Sequence, residues 1–187
     1  MKKRNYGEGD LLVDVLGSQG EKLTLLAKNA RQSRKRFSGG VLDPLQFTEL
    51  SVLSRSRGFD FVTEGKIIYP FQKLRLSYSK LSLAFYCTKI VNMVSMDGMD
   101  ENKSLFDLLG NTLRRLEKTN EESLLRVRFQ LKLLFYLGLY SPVPQLRSLT
   151  ALPISAPVEE SLSHQLLSSA QNFIRKKMIE IDLPFTY

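Results

Sequence analysis

The sequence predicts an α+β protein of two domains, a small β-barrel over residues 1–70 followed by an all-helical domain over residues 71–187. Three observations carry this. Short, Val-, Leu- and Thr-rich segments closed by small turns fill the chain as far as Pro70, and several such strands in succession favour a barrel over an open sheet. From Phe71 the spacing of apolar residues changes to three and four, the period of a core-facing helix. The charge divides in the same way. Residues Met1–Lys80 hold 15 Lys and Arg against 8 Asp and Glu, whereas Leu81–Tyr187 hold 12 against 11.

Taken in order, Leu11–Leu16 (LLVDVL) and Leu23–Lys28 (LTLLAK) flank the turn cluster Gly17-Ser18-Gln19-Gly20 and read as a hairpin. Leu45–Leu53 alternates apolar and polar residues with one slip, which a bulge near Glu49-Leu50 reconciles. Phe59–Tyr69 supplies one or two further strands before Pro70. In the second half, Leu74, Tyr78, Leu81, Phe85, Ile90 and Met93 place a helix after Phe71, and Asp97-Gly98-Met99-Asp100 breaks it. Asn102–Lys118 is a second helix, with Leu105, Leu108, Leu109, Leu113 and Leu116 on its apolar side. The third, Glu121–Leu139, has Asn120 as its expected N-cap and is apolar around most of its circumference, the mark of a central helix. Prolines 142, 144, 153 and 157 punctuate a crossing without periodicity, and a final helix is expected over Val158–Ile181.

Composition narrows the function. The chain has 187 residues, 43% of them hydrophobic, a net charge of +8 and a pI near 9.6, so a polyanionic partner is expected. No apolar run approaches the roughly 20 residues that span a bilayer. Glu8, Asp10 and Asp14 stand where a signal peptide would need an apolar stretch. No membrane partner and a cytoplasmic, nucleoid-associated location are therefore expected. Cys87 is the one cysteine and sits in an apolar series as a core thiol; His164 is the one histidine and has no second ligand near it. No phosphate-binding glycine loop or nucleophile elbow is present, and Ser38-Gly39-Gly40 is too short to stand for the first. The densest carboxylates, Asp97, Asp100 and Glu101, fall in an interhelical turn. The chain reads as a non-enzyme with no catalytic residues, no metal, no cofactor and no small-molecule substrate.

The feature that points to a partner is the basic sequence between Lys28 and Leu50. Lys28, Arg31, Arg34, Lys35 and Arg36 accumulate with no acidic residue before Asp43, a field that a phosphodiester backbone can neutralise. The alternative is a solvated loop with no partner.

The series YGEGDLLVDVL (Tyr6–Leu16), GEKLTLLAKNAR (Gly20–Arg31), SGGVLDPLQFTELSV (Ser38–Val52), SRGFDFVTEGKII (Ser56–Ile68), LFDLL (Leu105–Leu109) and RFQLKLLFYLGL (Arg128–Leu139) resembles, in this order, the RecO recombination-mediator family. The resemblance implies an N-terminal OB-fold and a helical domain. It also implies binding of single- and double-stranded DNA, annealing of complementary strands, and work with RecR to load RecA onto DNA coated by single-stranded DNA-binding protein. Phosphate contacts are expected from Arg31, Arg34, Lys35 and Arg36, supported by Lys28, Arg55 and Arg57, with Phe37, Phe47, Phe59 and Phe61 as available rings. In the family the acidic, apolar tail of single-stranded DNA-binding protein docks on the helical domain, and the matching segment here carries Arg126, Arg128 and Lys132 beside Phe129 and Leu133. Arg128 could equally pair with Asp107 or another carboxylate inside the bundle. Many members carry a four-cysteine zinc site after the helix that ends here near Leu139; with no cysteine there, a shortened helical domain without zinc is expected. The family also has its first barrel strand under way where Met1 stands, so either a short first strand or an upstream start is expected. A second reading is an adaptor that keeps the fold but has no DNA activity, its basic loop serving an acidic protein.

Overall fold

The computed structural model describes residues 2–33, 35–97, 102–141, 144–154, 156 and 164–185. The chain divides into two compact units, Met1–Gln72 with Ser95–Lys103, and Lys73–Val94 with Ser104–Tyr187.

The first unit is one five-stranded sheet: β1 (Lys2–Tyr6), β2 (Asp10–Leu16), β3 (Lys22–Ala27), β4 (Phe47–Leu53) and β5 (Asp60–Tyr69), in the order β1-β2-β3-β5-β4. All neighbours are antiparallel except β3 and β5, which pair in parallel through Leu25↔Asp60 and Leu26↔Phe61. The sheet is open. A closed barrel would bond β1 to β4, and among the described residues β1 bonds only β2 while β4 bonds only β5. Apolar periodicity does not mark β1, because KKRNY is charged and exposed at every position; only the family resemblance points to a short first strand. The β4–β5 ladder slips twice, between Phe47 and Thr48 and between Ser51 and Val52, on either side of the single bulge expected near Glu49-Leu50.

Side chains alternate across a strand, and the inner face gathers Leu11, Val13, Leu25, Ala27 and Val62 into a core, with Val15, Leu23, Leu50 and Ile67 at its margin. The basic β3–β4 connection closes that core. Ala30, Phe37 and Val41 enter it, Leu45 is buried as well, and the amide of Gly65 on β5 donates to the Arg36 carbonyl at 3.2 Å. A Cβ at Gly65 would lie 2.8 Å from Leu50 and 3.1 Å from Val41, so the lid approaches β5 as closely as it does because glycine stands there. Residues 95–103 join the same unit. Asn102 Nδ2 donates to the Gly20 and Met96 carbonyls at 2.9 and 2.8 Å, and Lys22 Nζ donates to the Ser95 carbonyl at 2.9 Å.

The second unit is helical: α1 (Tyr78–Val94), α2 (Lys103–Leu116), α3 (Glu122–Tyr136), the single turn α4 (Arg147–Thr150) and α5 (His164–Glu180). α3 is central, packing on α1, α4 and α5, and buries Leu125, Val127, Phe129, Leu131, Leu133 and Leu134. Three boundaries differ from the periodicity. A short 3₁₀ helix, Gln72–Leu76, precedes α1. At the start of α3 no side chain caps the helix; Glu121 occupies the cap position and its N–H donates to Thr119 Oγ1 at 3.0 Å, so Asn120 is not the cap. At its end, Gly138 at φ 71 turns the chain, with Leu139 N–H donating to the Leu134 carbonyl at 2.9 Å. This glycine closure stops the helix ahead of the prolines. The first half of the expected Val158–Ile181 helix lies outside the described residues. No described helix is long and apolar enough to cross a membrane.

Candidate nucleic-acid interface

The strand register places one residue from every strand in a row on the face of the sheet opposite the core, with Leu12 and Leu26 in the middle of the row buried and its two ends open. Arg4 faces Leu12, Leu12 faces Leu26, Leu26 faces Phe61, and Phe61 faces Leu53. Toward the β1–β2 and β4–β5 turns lie Tyr6 and Asp10 on their strands, and Lys28, Phe59 and Arg55 just past the ends of β3, β5 and β4. The sheet brings together residues far apart in sequence. Lys28 Nζ stands 4.5 Å from the centre of the Phe61 ring and the Arg55 guanidinium 4.6 Å from it. Beside them Tyr6 and Phe59 meet edge to face at 6.1 Å, 47% and 38% exposed.

Both cations are exposed and held in place by an aromatic face, which attracts cations and restricts their rotamers. The loops that carry them are pinned. Arg55 N–H donates to Asp60 Oδ1 at 2.8 Å, and Asn29 N–H to Asp10 Oδ1 at 2.8 Å. Arg31 is fixed at the β1–β2 turn, its N–H donating to the Gly9 carbonyl at 3.1 Å and Nη1 to the Glu8 carbonyl at 3.0 Å. Arg36 Nη2 donates to the Lys28 carbonyl at 2.8 Å while its guanidinium lies 5.2 Å from the Phe37 ring. Six of the seven expected DNA-binding residues are described: Lys28 and Arg55 share one ring, Arg31 anchors on the β1–β2 turn, Arg36 on the end of β3, and Arg57 is exposed in the β4–β5 loop. Lys35 is exposed on the lid, and Arg34 lies outside the described residues. Of the rings named from sequence, Phe37 is core and Phe59 and Phe61 face outward. Tyr6 is not among the rings named from sequence, because apolar periodicity does not mark β1.

A sheet in this order, read on its β2–β3 face and bordered by the β1–β2 and β4–β5 loops, is the arrangement by which OB-folds hold oligonucleotides. Two family models match the chain, Recombination protein O N terminal over residues 1–71 and Recombination protein O C terminal over residues 75–144. The chain belongs to the RecO family. Among curated relatives of this RecO-family chain, the DNA repair protein RecO of Alkaliphilus metalliredigens is 33% identical over 141 residues, 74% of this chain and 56% of the relative. That of Thermodesulfovibrio yellowstonii is 34% identical over 118 residues, 63% and 46% respectively. That of Halalkalibacterium halodurans is 24% identical over 185 residues, 98% of this chain and 67% of the relative. The chain spans about half the length of the first two of these.

The three cations named on the RecO helical domain are placed very differently. Arg128 is 2% exposed, and its guanidinium donates to the carbonyls of Ala156 and Pro153 at 2.8 Å and of Leu149 and Leu152 at 3.5 Å. It therefore holds the chain around and after α4, rather than a carboxylate of the bundle or an outside peptide. Burial pulls its pKa down from the arginine range, with Arg115 adding to the effect. Lys132 Nζ donates to the Thr150 carbonyl at 2.7 Å, and burial followed by the Arg128 charge pulls its pKa down too. Arg126 alone faces an aromatic ring, Phe185, at 5.8 Å. Cys87 is buried in α1, where burial pushes its thiol pKa up. Asp97 pairs with Lys22 at 3.5 Å, while Asp100 and Glu101 lie outside the described residues.

Proposed function

We propose that this chain binds single- and double-stranded DNA without sequence preference on the outer face of its sheet and anneals complementary strands there. It acts by binding, with no bond chemistry of its own, in the cytoplasm on the nucleoid. With RecR it helps load RecA onto DNA coated by single-stranded DNA-binding protein, whose acidic tail meets the helical unit near Arg126. The observation that carries the DNA reading is the pair Lys28 and Arg55 held against one ring, beside the exposed Tyr6–Phe59 pair. Cations track phosphates and exposed rings stack on unpaired bases, so affinity comes from features every nucleotide shares. Lys28, Arg55, Tyr6 and Phe59 sit on strands and loops and not on a helix that could enter a major groove, so base-edge readout by them is not expected.

Five cations, Lys28, Arg31, Arg36, Arg55 and Arg57, are exposed on the loops of this unit. If each neutralises one phosphate of a single strand, log affinity falls with log salt at a slope of about −3.5. A Lys28→Ala/Arg55→Ala variant should shallow that slope by about 1.4 and slow annealing of two complementary oligonucleotides, followed by fluorescence over a salt series. A slope and annealing rate equal to wild type would remove this face from DNA binding. A folded wild type that neither binds nor anneals at low salt would favour an adaptor with an acidic protein partner.

A further inference from the structure

Among the described residues the sheet ends in two edge strands, β1 and β4, and they are built differently. β1 carries Lys2, Lys3 and Arg4, a common guard against pairing with another chain. β4, FTELSVL, has one charged residue, Glu49, and no proline, and its Val52 and Leu53 are 42% and 58% exposed. No bulge bends it away either. The two irregularities of the β4–β5 ladder leave Thr63 and Ile68 over on β5, so β4 itself is a regular strand of seven residues. The direction of its backbone groups follows from two hydrogen bonds. In an antiparallel ladder, opposite residues either bond each other or both turn away. Leu50 lies opposite Gly65, whose N–H is spent on the Arg36 carbonyl at 3.2 Å. Ser51 turns toward β5, its carbonyl accepting from Thr63 Oγ1 at 3.2 Å. By alternation, Thr48, Leu50 and Val52 direct their N–H and C=O groups to the open side.

We propose that two copies of this chain pair β4 against β4, antiparallel and centred on Leu50, and that this pair is the unit that anneals. The strand's own residues select that register. Thr48 meets Val52 of the second copy and Leu50 meets Leu50, so the outward groups of all three find partners and the two strands overlap along their whole length. Leu50, at the margin of the core, stays on the core side in both copies, which a slip by one residue would undo. Glu49 stands opposite Ser51. A slip by two residues one way sets Glu49 against Glu49, a like-charge pair, and by two the other way carries Thr48 past the end of the strand. The pair is isologous, related by a twofold axis normal to the sheet. Both faces opposite the core therefore look the same way, and the Lys28 and Arg55 contacts with Phe61 lie on that side in each copy. Two DNA strands bound alike then run in opposite directions, the polarity a duplex requires. The annealing clause rests on the proposed DNA face; the pairing of β4 does not.

One strand pair makes a small interface, below the roughly 1,200 Å² at which stable ones begin, so a dimer of micromolar affinity is expected. Sedimentation velocity of the whole chain from low micromolar to near-millimolar concentration reads it. Ser51→Glu sets a carboxylate against Glu49 on both sides of the axis and should weaken the dimer about tenfold. Adding Glu49→Ser to it puts a carboxylate opposite a serine again, at wild-type net charge, and should restore association. A wild type that stays monomeric throughout, or the same association in all three, overturns the proposal. A second measurement reads the register directly. Opposite residues that do not bond each other lie about 4.5 Å apart between Cα atoms, within disulfide reach. An equal mixture of Glu49→Cys and Ser51→Cys chains should therefore cross-link on mild oxidation far more than either alone, and equal cross-linking in all three samples overturns the register and the proposal with it. At equal occupancy of DNA, annealing should slow about tenfold in Ser51→Glu and recover in the double variant; a wild-type rate in a monomeric Ser51→Glu chain overturns the dimer as the annealing unit. Lys28→Ala/Arg55→Ala should associate as wild type does, so failure of the DNA face and failure of the strand pairing are told apart.

Discussion

Arg128 shows how little a charge in a sequence says about where it is spent. Its four carbonyl partners belong to residues between 149 and 156, a stretch that follows one helical turn and contains Pro153, whose carbonyl also accepts from Ala156 N–H at 2.9 Å. Removing the guanidinium takes a donor from all four, one of them buried and three half-buried. Arg128→Met should therefore lower stability by about 3 kcal/mol in urea unfolding, mainly the cost of unmet acceptors, while single-strand affinity stays at the wild-type value. A fall in DNA or peptide binding with unchanged stability would return Arg128 to a contact role. Lys28, Arg31 and Arg36 stand out in the chain because they are clustered with no acid before Asp43, while Arg55 and Arg57 follow Asp43 and Glu49 and stand out less. That Lys28 and Arg55 converge on Phe61 was not legible. It depends on the parallel β3–β5 pairing, which leaves no mark in local spacing.

At the scale of elements, periodicity located the β2–β3 hairpin, β4, β5 and the helices, and it failed where other forces set the ends. β1 is an edge strand whose Lys2, Lys3 and Arg4 discourage pairing with another chain; that role selects charge, which hides the strand from a hydrophobic pattern. α3 ends at Gly138 because its closure needs a left-handed residue, a requirement stronger than the apolar continuity through Leu139. The basic connection looked like a free loop and is a lid, since Ala30, Phe37 and Val41 are spaced irregularly and bury one at a time. Its seat on β5 depends on Gly65. Gly65→Val, with its Cβ directed at Leu50 and Val41, should cost about 1–3 kcal/mol by overpacking. The loss should appear in thermal unfolding and as raised protease sensitivity between Lys28 and Leu50, and a variant as stable as wild type would mean the lid does not press on the sheet.

At the scale of the molecule, the sequence carried the order of a β half and a helical half, and the split of charge between them. It carried no sign that residues 95–103 rejoin the sheet, because the tie is a handful of long-range hydrogen bonds from Asn102, Lys22 and Lys103. The chain runs out of the first unit after Gln72, through α1, back into it at Ser95, and out again after Lys103. One cut cannot divide it. A fragment ending at Gln72 would leave behind Asn102, the donor to the Gly20 carbonyl, and the Ser95 carbonyl that receives Lys22. Its sheet should melt several degrees below the same sheet in the whole chain, as loss of about 1–2 kcal/mol from a small domain requires, and equal melting would show the return to be dispensable. Modular exchange between relatives must accordingly carry α1 along with the strands: the heritable unit of this fold is longer than its sheet.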